Sequence, residues 1–182
     1  EFKKIAEFCR NYGNSKIGMQ LAHAGRKASC NVPWNGGAQY SSDSTEGWPV
    51  VGPSAIPYAN SWQVPEELND EGLERVKQAF VLATERCVRI GFDVIEIHMA
   101  HGYLFAQFLS PLSNLRSDEY GGSRENRMRF PLEVFEAVRG NWPDELPLGV
   151  RISAVEWVDD GWSIEDSVAF AKELKVRGCD FL

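Results

Sequence analysis

The residues of this chain best suited to chemistry lie in one short run, Ile97-His98-Met99-Ala100-His101-Gly102-Tyr103. Side chains alternate along a strand with a period of two, so two imidazoles three residues apart cannot share one face of a straight strand. The backbone must bend after His98 for them to converge, and Gly102 permits the turn. Three chemistries fit such a pair. Both imidazoles could be structural, each hydrogen-bonded in place. They could ligate a metal with His23 or Glu96 as a third ligand, since neutral imidazole is a common zinc ligand, although nothing else in the sequence supports a metal. Or they could be two N–H donors that grip a substrate oxygen and stabilise negative charge developing on it, with Tyr103 placed to deliver a proton. One such donor is worth about 3–4 kcal/mol of transition-state stabilisation.

Gln20 and Arg151 call for a planar, hydrogen-bonding, electron-rich ligand. An amide offers both a donor and an acceptor to the edge of a ring system, and a buried Arg with no acid near it in sequence needs an anionic or polarised partner. Each also has a plainer explanation: Gln20 as a satisfied core amide, Arg151 as the ion-pair partner of Glu96.

The elements that must position these residues alternate. Lys16 to Ala22, Phe92 to Ile97 and Leu148 to Ser153 read as buried strands, and Asp180-Phe181-Leu182 as the start of a fourth. Residues 3–12 read as an amphipathic helix. Leu73, Val76, Phe80, Ala83, Cys87 and Ile90 mark the apolar face of a second helix that Gly91 terminates. Met128, Leu132, Phe135 and Val138 mark a third after a Ser123 cap, with Pro131 predicting a kink or a late start. Ser163-Ile164-Glu165-Asp166 resembles a weak capping box for a fourth helix ending near Gly178.

Strict alternation implies parallel βαβ units, in a doubly wound sheet or a (β/α)8 TIM barrel. The period of two puts Gly18, Gln20 and Ala22, then Val94, Glu96 and His98, then Gly149, Arg151 and Ser153 on one side of their strands. A doubly wound sheet is covered by helices on both faces, whereas the mouth of a barrel accepts converging polar groups, so the pattern favours the barrel. A whole barrel needs about 250 residues and eight strands, so the chain reads as a middle portion, roughly strands 3 to 6, with residues 1–182 forming a partial domain. Residues 24–65, rich in Gly, Pro, Ser and Asn and carrying Trp34, Trp48 and Trp62, form a long loop at the C-terminal end of the first strand, where barrel enzymes build their sites.

Composition narrows the partners. Lys and Arg number 19 against 26 Asp and Glu, a formal net charge of -7 with no basic stripe, which argues against nucleic acid. No apolar stretch approaches the roughly 18–20 residues of a membrane span. Cys9, Cys30, Cys87 and Cys179 are scattered without a C-x-x-C pair, which favours reduced thiols and a cytoplasmic protein.

The segments Ile17 to Ala28 (IGMQLAHAGRKA), Phe92 to Leu104 (FDVIEIHMAHGYL), Phe108 to Ser123 (FLSPLSNLRSDEYGGS) with Glu125-Asn126-Arg127, and Gly149-Val150-Arg151-Ile152-Ser153 closely resemble the Old Yellow Enzyme family, in the same order through essentially the whole chain. The His-x-x-His-Gly-Tyr version is similar to the YqjM-like and xenobiotic-reductase branch. The resemblance implies a TIM barrel that binds FMN non-covalently, takes hydride from NADPH or NADH and passes it to the β-carbon of a small activated alkene. By the same resemblance, Gln20 would bond the flavin pyrimidine edge and Arg151 would sit by its N1 and O2. His98 and His101 would hold the carbonyl or nitro oxygen, and Tyr103, with a reference pKa of about 10, would protonate the α-carbon. Phosphate-binding strands would lie downstream and further flavin contacts upstream. A homodimer or homotetramer is implied for the full-length protein, and poor folding and weak FMN binding for these residues alone. The competing readings are a metal-dependent TIM-barrel hydrolase built on the His cluster, a related flavin enzyme for thioesters or amines, and a non-catalytic truncated fragment.

Overall fold

The computed structural model describes residues 1–182. In chain order it contains α1 (Phe2–Tyr12), β1 (Gly18–Leu21), β2 (Val51–Gly52), β3 (Glu66–Glu67), α2 (Asp70–Ile90), β4 (Val94–Met99), α3 (Leu104–Leu109), α4 (Arg124–Arg139), β5 (Leu148–Ile152) and α5 (Ile164–Val176). The main sheet has three parallel strands in the order β1-β4-β5. Phe181 adds a parallel bridge to Gly149 beside β5, where the fourth strand was expected.

Local sequence explains the helix ends. Asn69 accepts a hydrogen bond from the Gly72 N–H at the start of α2, with Asp70 and Glu71 in the first turn to meet the positive end of the helix dipole. At the other end Gly91 sits at φ 80° and ψ 44°, left-handed backbone that a side chain would strain, and its N–H closes on the Cys87 and Val88 carbonyls. Ser163 and Asp166 form a true capping box on α5. Ser123 caps α4, but Pro131 sets no boundary: the helix runs from Arg124 to Arg139 through it. A proline removes one backbone hydrogen bond, and the buried neighbours Met128, Phe130, Leu132, Val134, Phe135 and Val138 hold the segment helical on both sides of that gap.

Packing is one-sided. α1 lies against α2, α2 against α4, and α4 against α5, so the helices form one continuous layer. Between this layer and the sheet lies a core of 26 buried residues, centred on Ile95, Ile97, Met99, Phe105, Phe108, Phe130 and Phe135. The opposite face of the sheet is open, and Gly18, Gln20, Ala22 and Arg151 are exposed on it.

The stretch expected to be a plain loop has more order. β2 and β3 pair in parallel across the 13 residues between them, with Val51 opposite Glu66 and Gly52 opposite Glu67. Arg116 fixes this substructure to the rest. Its side chain is only 4% exposed, donates to the Pro53 and Leu68 carbonyls at 3.0 and 2.7 Å, and pairs with Asp118 at 2.5 Å.

Candidate functional site

β4 ends at Met99, and the chain then makes the bend that the histidine spacing demanded. His101 and Gly102 are both left-handed, at φ 57° and 68°. Two successive residues in this region reverse the direction of the backbone, and α3 starts immediately afterwards with Tyr103 as its N-cap residue. The turn brings the His98 ring to 4.9 Å from the His101 ring and 5.1 Å from the Tyr103 ring, centroid to centroid.

His98 is 3% exposed. Its Nδ1 is buried without a hydrogen-bond partner. Burial, reinforced by His101 and Arg151 nearby and opposed by Glu96, pushes its pKa below the ordinary imidazole value, so the ring is neutral at neutral pH. A neutral imidazole carries one N–H, and an orphaned lone pair costs less than an orphaned donor. The favoured tautomer therefore leaves Nδ1 bare and places the proton on Nε2, the nitrogen free to meet a ligand. His23 is also neutral through burial, and its Nδ1 is occupied by the Gly25 N–H at 3.0 Å. No three His, Cys, Asp or Glu side chains come together in a group able to hold a metal ion.

Gln20 and Arg151 flank this cluster on the open face, on β1 and β5. Arg151 stands in register with His98, and Gln20 with Glu96. Arg151 is exposed rather than buried, because the sheet face that carries it has nothing packed over it. The anticipated Arg151–Glu96 ion pair is absent: Glu96 instead accepts from Gln20 Nε2 at 2.6 Å. The Gln20 carbonyl oxygen and the Arg151 guanidinium thus remain available. A flat heterocycle with N–H and carbonyl groups along one edge fits this donor and acceptor set, so the residues present suit a flavin ring.

The structure adds residues that the motifs did not single out. Lys27 Nζ donates to the His101 carbonyl at 3.0 Å and lies 4.8 and 5.4 Å from the Tyr58 and Tyr103 ring centroids. Ser153 Oγ accepts the His101 N–H at 2.9 Å. Gln107, fully buried in α3, donates to the Gly102 and Ala24 carbonyls at 2.8 and 3.2 Å and so ties the two loops together. Gln107 had a detectable signal, a lone amide inside the apolar run LFAQFL. Lys27 and Ser153 both lie inside the quoted motifs, and Ser153 on the same side of its strand as Arg151, but the motifs give neither of them a role. Behind His101, a cavity of about 170 Å³ is lined by Met99, Ala106, Leu109, Ser153, Glu156 and Trp162 among others.

Comparison with known proteins places this architecture. The family model described as "NADH:flavin oxidoreductase / NADH oxidase family" matches residues 1–182. An NADPH dehydrogenase of Bacillus subtilis is 45% identical over 181 residues, covering 100% of this chain and 48% of its own length. An NADH:flavin oxidoreductase of Gibberella zeae is 44% identical over 193 residues, covering 99% and 46%. Among solved structures, morphinone reductase superposes with a TM-score of 0.79 at 29% identity, over 98% of this chain and 49% of that protein. The chain therefore spans about half the length of the curated relatives it matches. The three-stranded sheet and its helix layer are part of a (β/α)8 barrel, and the resemblance to the Old Yellow Enzymes holds. With its whole length matched and its strand-end histidine turn in place, this chain belongs to the NADH:flavin oxidoreductase / NADH oxidase family.

Proposed function

We propose that the chain carries the substrate-gripping portion of an FMN-dependent NAD(P)H oxidoreductase that reduces the C=C bond of α,β-unsaturated carbonyl or nitro compounds. The observation that carries this reading is the turn at His101 and Gly102, which gathers two imidazoles and a phenol at one strand end. Gln20 and Arg151 would hold the pyrimidine side of the flavin.

FMN, when bound, supplies to the substrate β-carbon a hydride obtained from NADH or NADPH. The chain's own residues do the rest. His98 Nε2–H and a ring N–H of His101 would donate to the substrate oxygen and draw the alkene electron pair toward it, which opens the β-carbon to hydride and leaves the α-carbon of the resulting enolate basic. The Tyr103 hydroxyl gives its proton to that carbon and is re-protonated from water. A neutral His98 suits this role because it donates without carrying a full positive charge into a buried position.

The test is the visible spectrum of the FMN-loaded protein under anaerobic conditions. Addition of NADPH should bleach the flavin band, and cyclohexenone should restore it. A band that bleaches but does not recover with any enone or nitroalkene would overturn the alkene reading while keeping the flavin. A protein spanning the whole length of these relatives that takes up no FMN would overturn both, whereas weak uptake by residues 1–182 alone is expected.

A further inference from the structure

We propose that Lys27 and Ser153 are positioning residues that clamp the backbone of His101 from both sides and so hold its ring beside His98. The inference deepens the proposed alkene reduction and rests on it for its functional consequence, though not for the clamp itself.

The argument starts from backbone cost. Left-handed geometry is uncommon for a residue with a side chain, and His101 adopts it at φ 57° immediately before a left-handed Gly102. Glycine takes this conformation freely, whereas His101 must be held there by its surroundings. Both of its backbone polar groups are engaged from distant parts of the chain. Its N–H is taken by Ser153 Oγ at 2.9 Å, just past β5, and its carbonyl accepts from Lys27 Nζ at 3.0 Å, just past β1. The chain that follows each of the two strands flanking β4 thus sends one side chain to the same residue, one to each of the two peptide units that meet at His101. An extended His101 would carry both bonds away and swing its ring off His98. Lys27 has a further role: its ammonium lies 5.4 Å from the Tyr103 ring centroid and 4.8 Å from that of Tyr58 in the long loop, distances at which a cation is attracted to an aromatic face. One side chain therefore links the loop, the turn and the phenol.

The experiment uses amide hydrogen exchange by NMR on the FMN-loaded protein, beside the affinity of a phenol, whose oxygen the His98 and His101 donors would grip in place of the substrate's, followed by its absorbance change on the flavin. Lys27→Met keeps the length of the side chain and removes the donor. Exchange at the His101 and Tyr103 amides should quicken about 10-fold, and phenol affinity should weaken by a similar factor. Ser153→Ala should do the same at His101. Lys27→Arg should restore most of both, since a guanidinium can donate to the carbonyl and lie over the rings. Tyr58→Leu, which keeps the Lys27 bond to His101, should leave exchange in the turn unchanged. In a His101→Ala background, Lys27→Met should weaken phenol affinity no further. Unchanged exchange in Lys27→Met, or an equal loss of affinity with and without the His101 side chain, would overturn the clamp. A protein whose turn is clamped as described but which reduces no alkene would refute the proposed reaction alone.

Discussion

The two faces of the β1-β4-β5 sheet are built from alternate residues of the same strands, yet they do different work. On the helix side, Ile95, Ile97 and Met99 of β4 have no exposed surface and meet Phe105 and Phe135, also fully buried. On the other side Gln20 and Arg151 are exposed and Glu96 is half-buried. Only at the C-terminal end of β4 do the two regimes meet, where His98 is buried and carries the proposed substrate grip. The period of two thus separates the buried core from the proposed binding face residue by residue, and substitutions on the two faces should have opposite signatures.

The largest expected effect sharpens this contrast. Phe105→Ala removes a fully buried ring that lies 5.0 Å from Phe80 and 5.9 Å from Phe130, centroid to centroid. It should cost about 3–5 kcal/mol in urea denaturation. Gln20→Ala and Arg151→Met, on the open face, should stay within about 0.5 kcal/mol of the parent while weakening FMN binding. Equal destabilisation by all three would break the comparison.

Tyr103→Phe tests the junction of the two faces. The ring and its contacts with His98 and Lys27 remain while the proton is lost, so alkene reduction should slow by about 10²–10⁴-fold with little change in thermal stability. Rapid-mixing measurement of the re-oxidation step with cyclohexenone reads this directly. A smaller loss would assign the proton to another donor.

Arg116→Met probes the rim above both faces. The change strands the Pro53 and Leu68 carbonyls and releases Asp118, and should cost about 2–3 kcal/mol. The loss should appear first as proteolytic cutting between residues 53 and 68, while the sheet stays folded.

Much of this division was legible in the sequence. Asn69 with Gly91, and Ser163 with Asp166, are local signals that need no tertiary context, and they bracket α2 and begin α5 as observed. Strand faces were readable because the period of two is geometric. What escaped detection depends on the rest of the molecule. α3 is six residues long and buried on nearly every side, so LFAQFL has no polar face to reveal its periodicity. β2 and β3 are two residues each and owe their pairing to chain elsewhere, including Arg116. Pro131 did not delay the start of α4, because packing on both sides outweighed one missing hydrogen bond. Arg151 was expected inside and stands exposed, since its face of the sheet is open. The histidine turn was foreseen from spacing, but its two backbone clamps come from β-strand ends far apart in sequence, which no motif encodes.

The smallest expected effect asks whether the buried histidine couples the two faces through pH. Burial lowers the pKa of both His98 and His23 from the ordinary value of 6.5. As pH falls through 6.5, the unfolded chain takes up protons that the folded chain resists, so stability must drop, by at most about 1.4 kcal/mol per pH unit for each proton. Above 6.5 the two states bind alike and the contribution is constant. Asp93, held below its usual 3.8 by the Ile17 N–H and Lys16, loses its contribution only as pH falls further, while Glu133, raised by burial, takes up its proton earlier in the folded chain and opposes the histidines between pH 6.5 and about 5. Urea midpoints at pH 7.5 and 5.5 should therefore differ in the parent, and the gap should narrow in His98→Gln, which cannot be protonated. A gap untouched by His98→Gln would mean that His98 is not held neutral by its burial and that the end of β4 belongs to the open face alone.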